Sequence, residues 1–240
     1  MEVQYQDLGL KDDYLYETIA TTTSFKNDKK IPNASCMGIR ITNDKVIIKP
    51  YHSTRTYKNL KDNSLICINF VEDIHLYTLA ALKGPYLSKK HKTFPQKYYE
   101  YYPIKNSNNN LKTLKINQIP YLRDAWAIII CRTKKSIKID KEDVFGFVDL
   151  TEFELDMLSI VKLKDSFKLF NRAENMTLET LILTTRLKIA FEKNDYDLVL
   201  DYQHKINNSI KEINHFDSNL EVSKSINLIK EYIRNLKLKF

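Results

Sequence analysis

The sequence predicts an α+β protein in which a β-rich first part precedes a helical last third. Two patterns carry this reading. Runs of β-branched and aromatic residues, separated by short polar turns, dominate the chain up to about residue 150. Apolar residues at helical spacing take over after Asn171. Glycine adds an exclusion. The chain has four, Gly9, Gly38, Gly84 and Gly146, and no two lie close together. A glycine-rich dinucleotide fingerprint or a phosphate loop needs at least two glycines within a few residues, so Rossmann and P-loop folds are excluded.

The elements follow in order. Leu15 to Phe25 reads as a strand, Lys26 to Pro32 as a polar turn, and Asn33 to Thr42 as a second strand containing Gly38. Asn43-Asp44 is a tight turn into Lys45 to Lys49, which makes a hairpin. Ser53 to Asn63 begins with hydroxyl caps and continues at helical spacing. Ser64 to Val71 is a buried strand, and Asp73 to Leu82 a short amphipathic helix stopped by Gly84-Pro85. Residues 84–120 read as irregular, with four of the six prolines, lysines at 89, 90, 92 and 97, and tyrosines at 98, 99, 101 and 102. Ala125 to Ile139 is a long strand or a pair, and Phe145 to Leu150 a short one.

Asn171 with Glu174 resembles a capping box. Three stripes follow: Leu178, Leu181, Ile182 and Ile189; Tyr202, Ile206, Ile210 and Ile213; Val222, Ile226, Ile229 and Ile233. Residues 1–166 are expected to form the β domain. Residues 167–240 are expected to form a three-helix subdomain packed on it.

A chain of 240 residues can bury a sizeable core without disulfides or metals. Cys36, Cys67 and Cys131 are too few and too scattered for a disulfide framework or a zinc ribbon, and the histidines form no HExxH. No metal site is expected. The N-terminal segment lacks the features of a signal peptide, and the longest apolar run, Ala125 to Cys131, is far short of a membrane span. A cytoplasmic protein with no membrane partner is expected. The net charge of +8 is spread along the chain with no nucleic-acid motif beside it, so no nucleic-acid partner is expected.

One stretch concentrates hydroxyl, amide and basic groups. Thr21, Thr22 and Thr23 close the first strand, Asn33 to Gly38 opens the second, and Lys49 to Leu60 links a strand to a helix. Ser53, Thr54 and Thr56 supply hydroxyls and Arg55 a charged fork, while the N–H groups of a first helical turn point the same way. A phosphate is held by such groups. The same residues also read as a helix cap with a solvated arginine, and spacing does not separate the two readings.

The ordered series TTT, NASCMGIR, KVIIKPY, STRTYKNL and ICINF resembles the FMN-binding split barrel of the flavin reductase-like superfamily. Thr56 and Asn59-Leu60 occupy its Thr-x-x-Asn-Leu positions, and Ile68-Asn69 its following strand. With Glu17-Thr18, Lys49-Pro50-Tyr51, Asn171 to Glu174 and Thr185-Arg186-Leu187, the chain is similar to a largely archaeal, uncharacterised branch. Many flavin reductases carry proline where this chain has Cys36.

The resemblance implies an antiparallel split β-barrel followed by the helical subdomain, and a homodimer with FMN near the subunit interface. It implies a phosphate held by Ser53, Thr54, Arg55 and Thr56, and a ring against the backbone of Cys36, Met37 and Gly38. Thr21, Thr22, Tyr51 and Asn59 complete the implied cofactor set. FMN carries the hydride or electron chemistry, so no catalytic acid or base is required. The implied activity is that of a flavin-dependent oxidoreductase, with a nicotinamide donor that binds transiently. An electron carrier or flavin store without its own substrate site, and a non-enzymatic interaction module, are the alternatives.

Overall fold

A computed structural model describes residues 3–27, 29–87, 92–104, 117–143, 146–166, 171–216 and 220–239. Two compact units emerge. One comprises Met1–Glu72, Gln96–Asp143 and Phe147–Ser166; the other comprises Asp73–Pro95, Val144–Gly146 and Phe167–Phe240.

The first unit is a closed six-stranded antiparallel barrel. Its strands are β1 (Leu15–Lys26), β2 (Lys29–Thr42), β3 (Lys45–Ile48), β4 (Leu65–Phe70), β7 (Ala127–Asp143) and β8 (Gly146–Lys162), in the order β1-β2-β3-β8-β7-β4. Pairing of Ile19, Ala20 and Thr21 with Asn69, Ile68 and Cys67 closes the ring. Alternation decides which side chains go inside. Ile39 and Ile41, Val46 and Ile48, Ile66 and Ile68, Ile129 and Cys131, and Phe153 and Leu155 form one core. Each such side chain contributes roughly 1.5–3 kcal/mol when fully buried.

Three sequence expectations are corrected here. The turn at 26–32 shrinks to the hairpin tip, because Thr23 pairs with Pro32 and Lys26 with Lys29. The tip lysines stay exposed, so their polarity is compatible with strand. Of the run Phe145 to Leu150, Phe145 lies outside the described residues and Gly146 to Leu150 is only the start of β8, which runs on to Lys162. Phe153 and Leu155 alternate there with Glu152, Glu154 and Asp156, and these acids pair with Lys49, Lys134 and Lys45 at 2.9, 3.5 and 2.7 Å. Residues 84–120 are not wholly irregular. They contain β5 (Tyr99–Pro103) and most of β6 (Gln118–Leu122), which pair as a hairpin from Tyr99↔Leu122 to Pro103↔Gln118. Lys89 and Lys90 lie outside the described residues.

The β5–β6 hairpin is tied to the outer side of β1 and β4. The Thr21 hydroxyl donates to the Pro120 carbonyl, and the Leu122 N–H donates to Asn69 Oδ1 at 2.7 Å. A two-stranded ribbon is marginal alone. Here it gains burial of Tyr99, Ile119 and Leu122.

Helix α1 (Arg55–Asn63) has only nine residues, too short to persist by local propensity. Leu60 enters the barrel core. Asn59 Nδ2 donates to Thr22 Oγ1 at 2.8 Å, and Asn63 Nδ2 to the Thr23 carbonyl at 2.6 Å. Ser64, at φ 62°, ends the helix in the left-handed region.

The second unit holds α2 (Ile74–Leu82), α3 (Arg172–Glu192), α4 (Tyr196–Phe216) and α5 (Leu220–Lys237). The α4 stripe Tyr202, Ile206, Ile210 and Ile213 is buried as expected. Two helices depart from expectation. Helix α2 is buried nearly all round, with seven of nine residues inside, and packs on α3 and α5. Helix α3 buries Ala173, Thr177, Thr180, Leu181, Thr184, Leu187 and Ala190, while Ile189 is exposed. Threonine is admitted to this face because its hydroxyl bonds back to the helix. Thr177, Thr180 and Thr184 donate to the carbonyls of Ala173, Met176 and Thr180 at 2.7–2.8 Å. No helix among the described residues is long and apolar enough to cross a membrane.

Candidate functional site

Helix α1 begins at a rigid corner of the barrel unit. Thr54 is its N-cap: its hydroxyl accepts from the Tyr57 N–H at 3.2 Å and donates to the Tyr51 carbonyl at 2.7 Å. The residues before it are stitched to β8. Tyr51 bridges to Leu150, the His52 N–H donates to the Asp149 carbonyl at 3.1 Å, and His52 Nε2 lies 2.8 Å from Thr151 Oγ1. The His52 ring stacks on Tyr57 with centroids 4.3 Å apart, so this histidine braces the corner. The N–H groups of Arg55 and Thr56 belong to the first turn and have no partner within the helix.

The expected site residues separate into two sets. Ser53 and Arg55 are exposed, Thr54 is half-buried, and Tyr51 is 45 % exposed; these four lie together at the start of α1. Thr21, Thr22, Thr56 and Asn59 are closed off from solvent. Thr56 Oγ1 donates to Ser35 Oγ at 3.0 Å and accepts from Asn33 Nδ2 at 3.4 Å. What Thr56 offers a ligand is therefore its main-chain N–H. Thr22 and Asn59 bond to each other and hold α1 on the wall.

The β2 segment lies beside this corner through the Ser35–Thr56 bond. Met37 points into the core, and its carbonyl accepts from Thr18 Oγ1 at 2.8 Å. Cys36 and Gly38 occupy the opposite face of the strand and are half-buried. Gly38 pairs with Glu17; a Cβ on it would sit 3.2 Å from Leu15 Cδ1 and 3.5 Å from Glu17 Oε1. The glycine thus keeps a flat strip of backbone between two β1 side chains. Cys67 and Cys131 are fully buried, and desolvation pushes both thiols well above their ordinary values.

Two residues that local reasoning did not single out join the site. Ser35 links β2 to α1, and its place in Asn33-Ala34-Ser35 was readable. Tyr99 comes from β5. Burial raises its phenol, while the charge of Arg55 and the Ala34 backbone act in the opposite direction. β5 comes to this side of the barrel only through tertiary pairing, which no local pattern predicts. Among the described residues no group of three or more histidine, cysteine, aspartate or glutamate side chains is placed to hold a metal.

The chain's residues 16–160, more than half of its length, match the family described as "Protein of unknown function (DUF447) N-terminal domain". The chain belongs to the DUF447 family. A DUF447 protein from Methanosarcina mazei, described as FMN-bound, superposes with a TM-score of 0.67 at 17 % identity, over 95 % of this chain and 100 % of that one. At that identity the likeness establishes the fold. An uncharacterised protein of Methanocaldococcus jannaschii is 25 % identical over 171 residues, covering 71 % of this chain and 73 % of the relative. A flavoredoxin from Methanosarcina acetivorans is a weaker likeness, at TM-score 0.41 and 12 % identity over 71 % and 78 % of the two chains. The family is thus DUF447, and the fold is the antiparallel barrel with C-terminal helices that the motifs predict.

Proposed function

We infer that this DUF447 protein binds FMN in its barrel unit and works as a flavin-dependent oxidoreductase. The observation that carries the reading is the braced start of α1. Arg55, Ser53 and two first-turn N–H groups stand there without the help of Thr56 or Asn59 side chains, which are committed to the wall. The FMN-bound relative of the same fold supports the choice of ligand.

In this reading Arg55 and Ser53 donate to the phosphate, alongside the N–H groups of Arg55 and Thr56. Thr54 locks the turn, and Tyr51 flanks it. The flat strip at Cys36–Gly38 takes the ring against main chain. When bound, FMN supplies the hydride or electron transfer, and a nicotinamide is the proposed transient donor. The residues named here bind and orient; none has to move a proton.

The test is direct. Protein purified from cells and then denatured should release FMN, identified by mass and by its visible absorbance. A colourless protein that fails to take up added FMN would sink the proposal.

A homodimer is the second part of the reading. The β7–β8 ribbon carries Phe147, 82 % exposed, and Ile137, 45 % exposed. An aromatic left in water at that level on a ribbon suits a surface covered by another subunit. Sedimentation at micromolar concentration should give twice the 28.3 kDa chain mass. Phe147→Asp should shift the species toward monomer. A wild-type monomer that retains FMN would refute an interface site.

A further inference from the structure

We propose that the groove between α4 and α5 is a docking site for an acidic amphipathic helix of a partner protein. The groove has a volume of about 400 Å³ and is lined by Asn207 and Ile210 of α4, Lys230, Ile233, Arg234 and Lys237 of α5, and Leu238. Lys230, Arg234 and Lys237 are exposed and follow one stripe of α5, spanning about 10 Å along its axis. None of them takes part in an ion pair among the described residues, and no acid is among the residues lining the groove.

Acids offset most of the positive charge in another cavity but none of it in this groove. A larger cavity of about 540 Å³ on the barrel wall also holds Lys45, Lys49 and Lys134, but these pair with Asp156, Glu152 and Glu154. Complementing the negative end of α5 would account for Arg234 and Lys237, which lie in its last turns. It does not account for Lys230, or for the apolar floor.

That floor helps to choose the occupant. Ile233 is half-buried where the α5 stripe would otherwise continue inward, Leu236 takes the buried position instead, and Leu238 is 82 % exposed. A nucleic-acid backbone would use the cations and leave the floor uncovered. A flat membrane would not enter the groove. A helix with an apolar stripe flanked by glutamates satisfies both, in the usual helix-in-groove arrangement. The groove has a firm side as well. On another face of α5, Asn235 Nδ2 donates to the Tyr86 carbonyl at 2.9 Å and Tyr232 packs edge-on to Tyr86, while just past the helix Lys239 Nζ donates to the Tyr86 hydroxyl at 3.3 Å.

The experiment uses the full chain and a labelled synthetic helix of about 18 residues, with leucines on one face and glutamates beside them. Anisotropy should show saturable binding that weakens with salt. The variant Lys230→Glu/Arg234→Glu/Lys237→Glu should bind at least about tenfold more weakly. A peptide with lysine in place of glutamate should recover binding to that variant. If the triple variant does not fold, Arg234→Gln with the original peptide serves, with a weaker affinity and a shallower salt dependence expected. The proposal is overturned if the peptide does not bind at millimolar concentration or if the folded variants bind it as the parent does. Stronger binding of duplex DNA or anionic vesicles at the same sites would overturn it too.

Discussion

Arg55→Ala should weaken FMN binding about 10- to 150-fold while leaving riboflavin binding almost unchanged. A hydrogen bond to a charged group contributes about 1.5–3 kcal/mol, and each 1.4 kcal/mol is tenfold in affinity. Only FMN carries the phosphate, so the loss should appear in one ligand and not the other. Arg55 is exposed and the helix is capped by Thr54, so the variant should keep its fold. Arg55→Lys should fall between the two, because it keeps the charge and loses the planar fork. Titration of the apoprotein with both flavins, followed by fluorescence, measures the ratio. Equal losses for FMN and riboflavin would make Arg55 a structural residue and move the phosphate elsewhere.

Asn69→Ala should be the most damaging single change in the barrel that leaves the proposed ligand groups in place. Asn69 is fully buried on β4 and holds three elements together. Its Nδ2 donates to the Ile19 carbonyl at 2.8 Å and lies 3.1 Å from both Thr21 Oγ1 and the Cys67 carbonyl. Its Oδ1 accepts the Leu122 N–H at 2.7 Å. Truncation removes the partner of a buried N–H and of a buried carbonyl, each worth about 1–3 kcal/mol when left unmet. The expected loss is roughly 2–6 kcal/mol, read as a lower denaturant midpoint. The β5–β6 hairpin should also lose hydrogen-exchange protection before the rest of the barrel. A variant as stable as the parent would show that water or Thr21 takes over these bonds.

Much of this architecture was legible in the residues. The β1–β2–β3 meander, the start of α1 and the α4 stripe follow from local periodicity and capping, which depend on neighbours within a few positions. The alternation of Phe153 and Leu155 with Glu152, Glu154 and Asp156 was equally visible, and it extends β8 well beyond the short run first expected. The motif Thr-x-x-Asn-Leu located α1 correctly against the barrel. Local pattern could not tell which of its side chains face inward. Thr56 and Asn59 look like ligand groups in sequence because hydroxyls and amides serve both purposes. Only their closure against Ser35, Asn33 and Thr22 shows that they brace the wall.

Other features exist only through long-range pairing. The hairpin of β5 and β6 and its attachment to Asn69 and Thr21 join segments far apart in the chain. The threonine face of α3 likewise became a buried surface only when neighbouring helices closed over it, since threonine satisfies its hydroxyl within its own helix and then behaves as a small apolar residue. The sequence by itself determined the α+β class, the cores of β1 to β4 and the cluster of phosphate-compatible groups, because these rest on short-range periodicity and residue chemistry. Tertiary structure decided which of those groups stay open at the surface, because burial and hydrogen-bond partners are set by elements that meet only after the chain has folded.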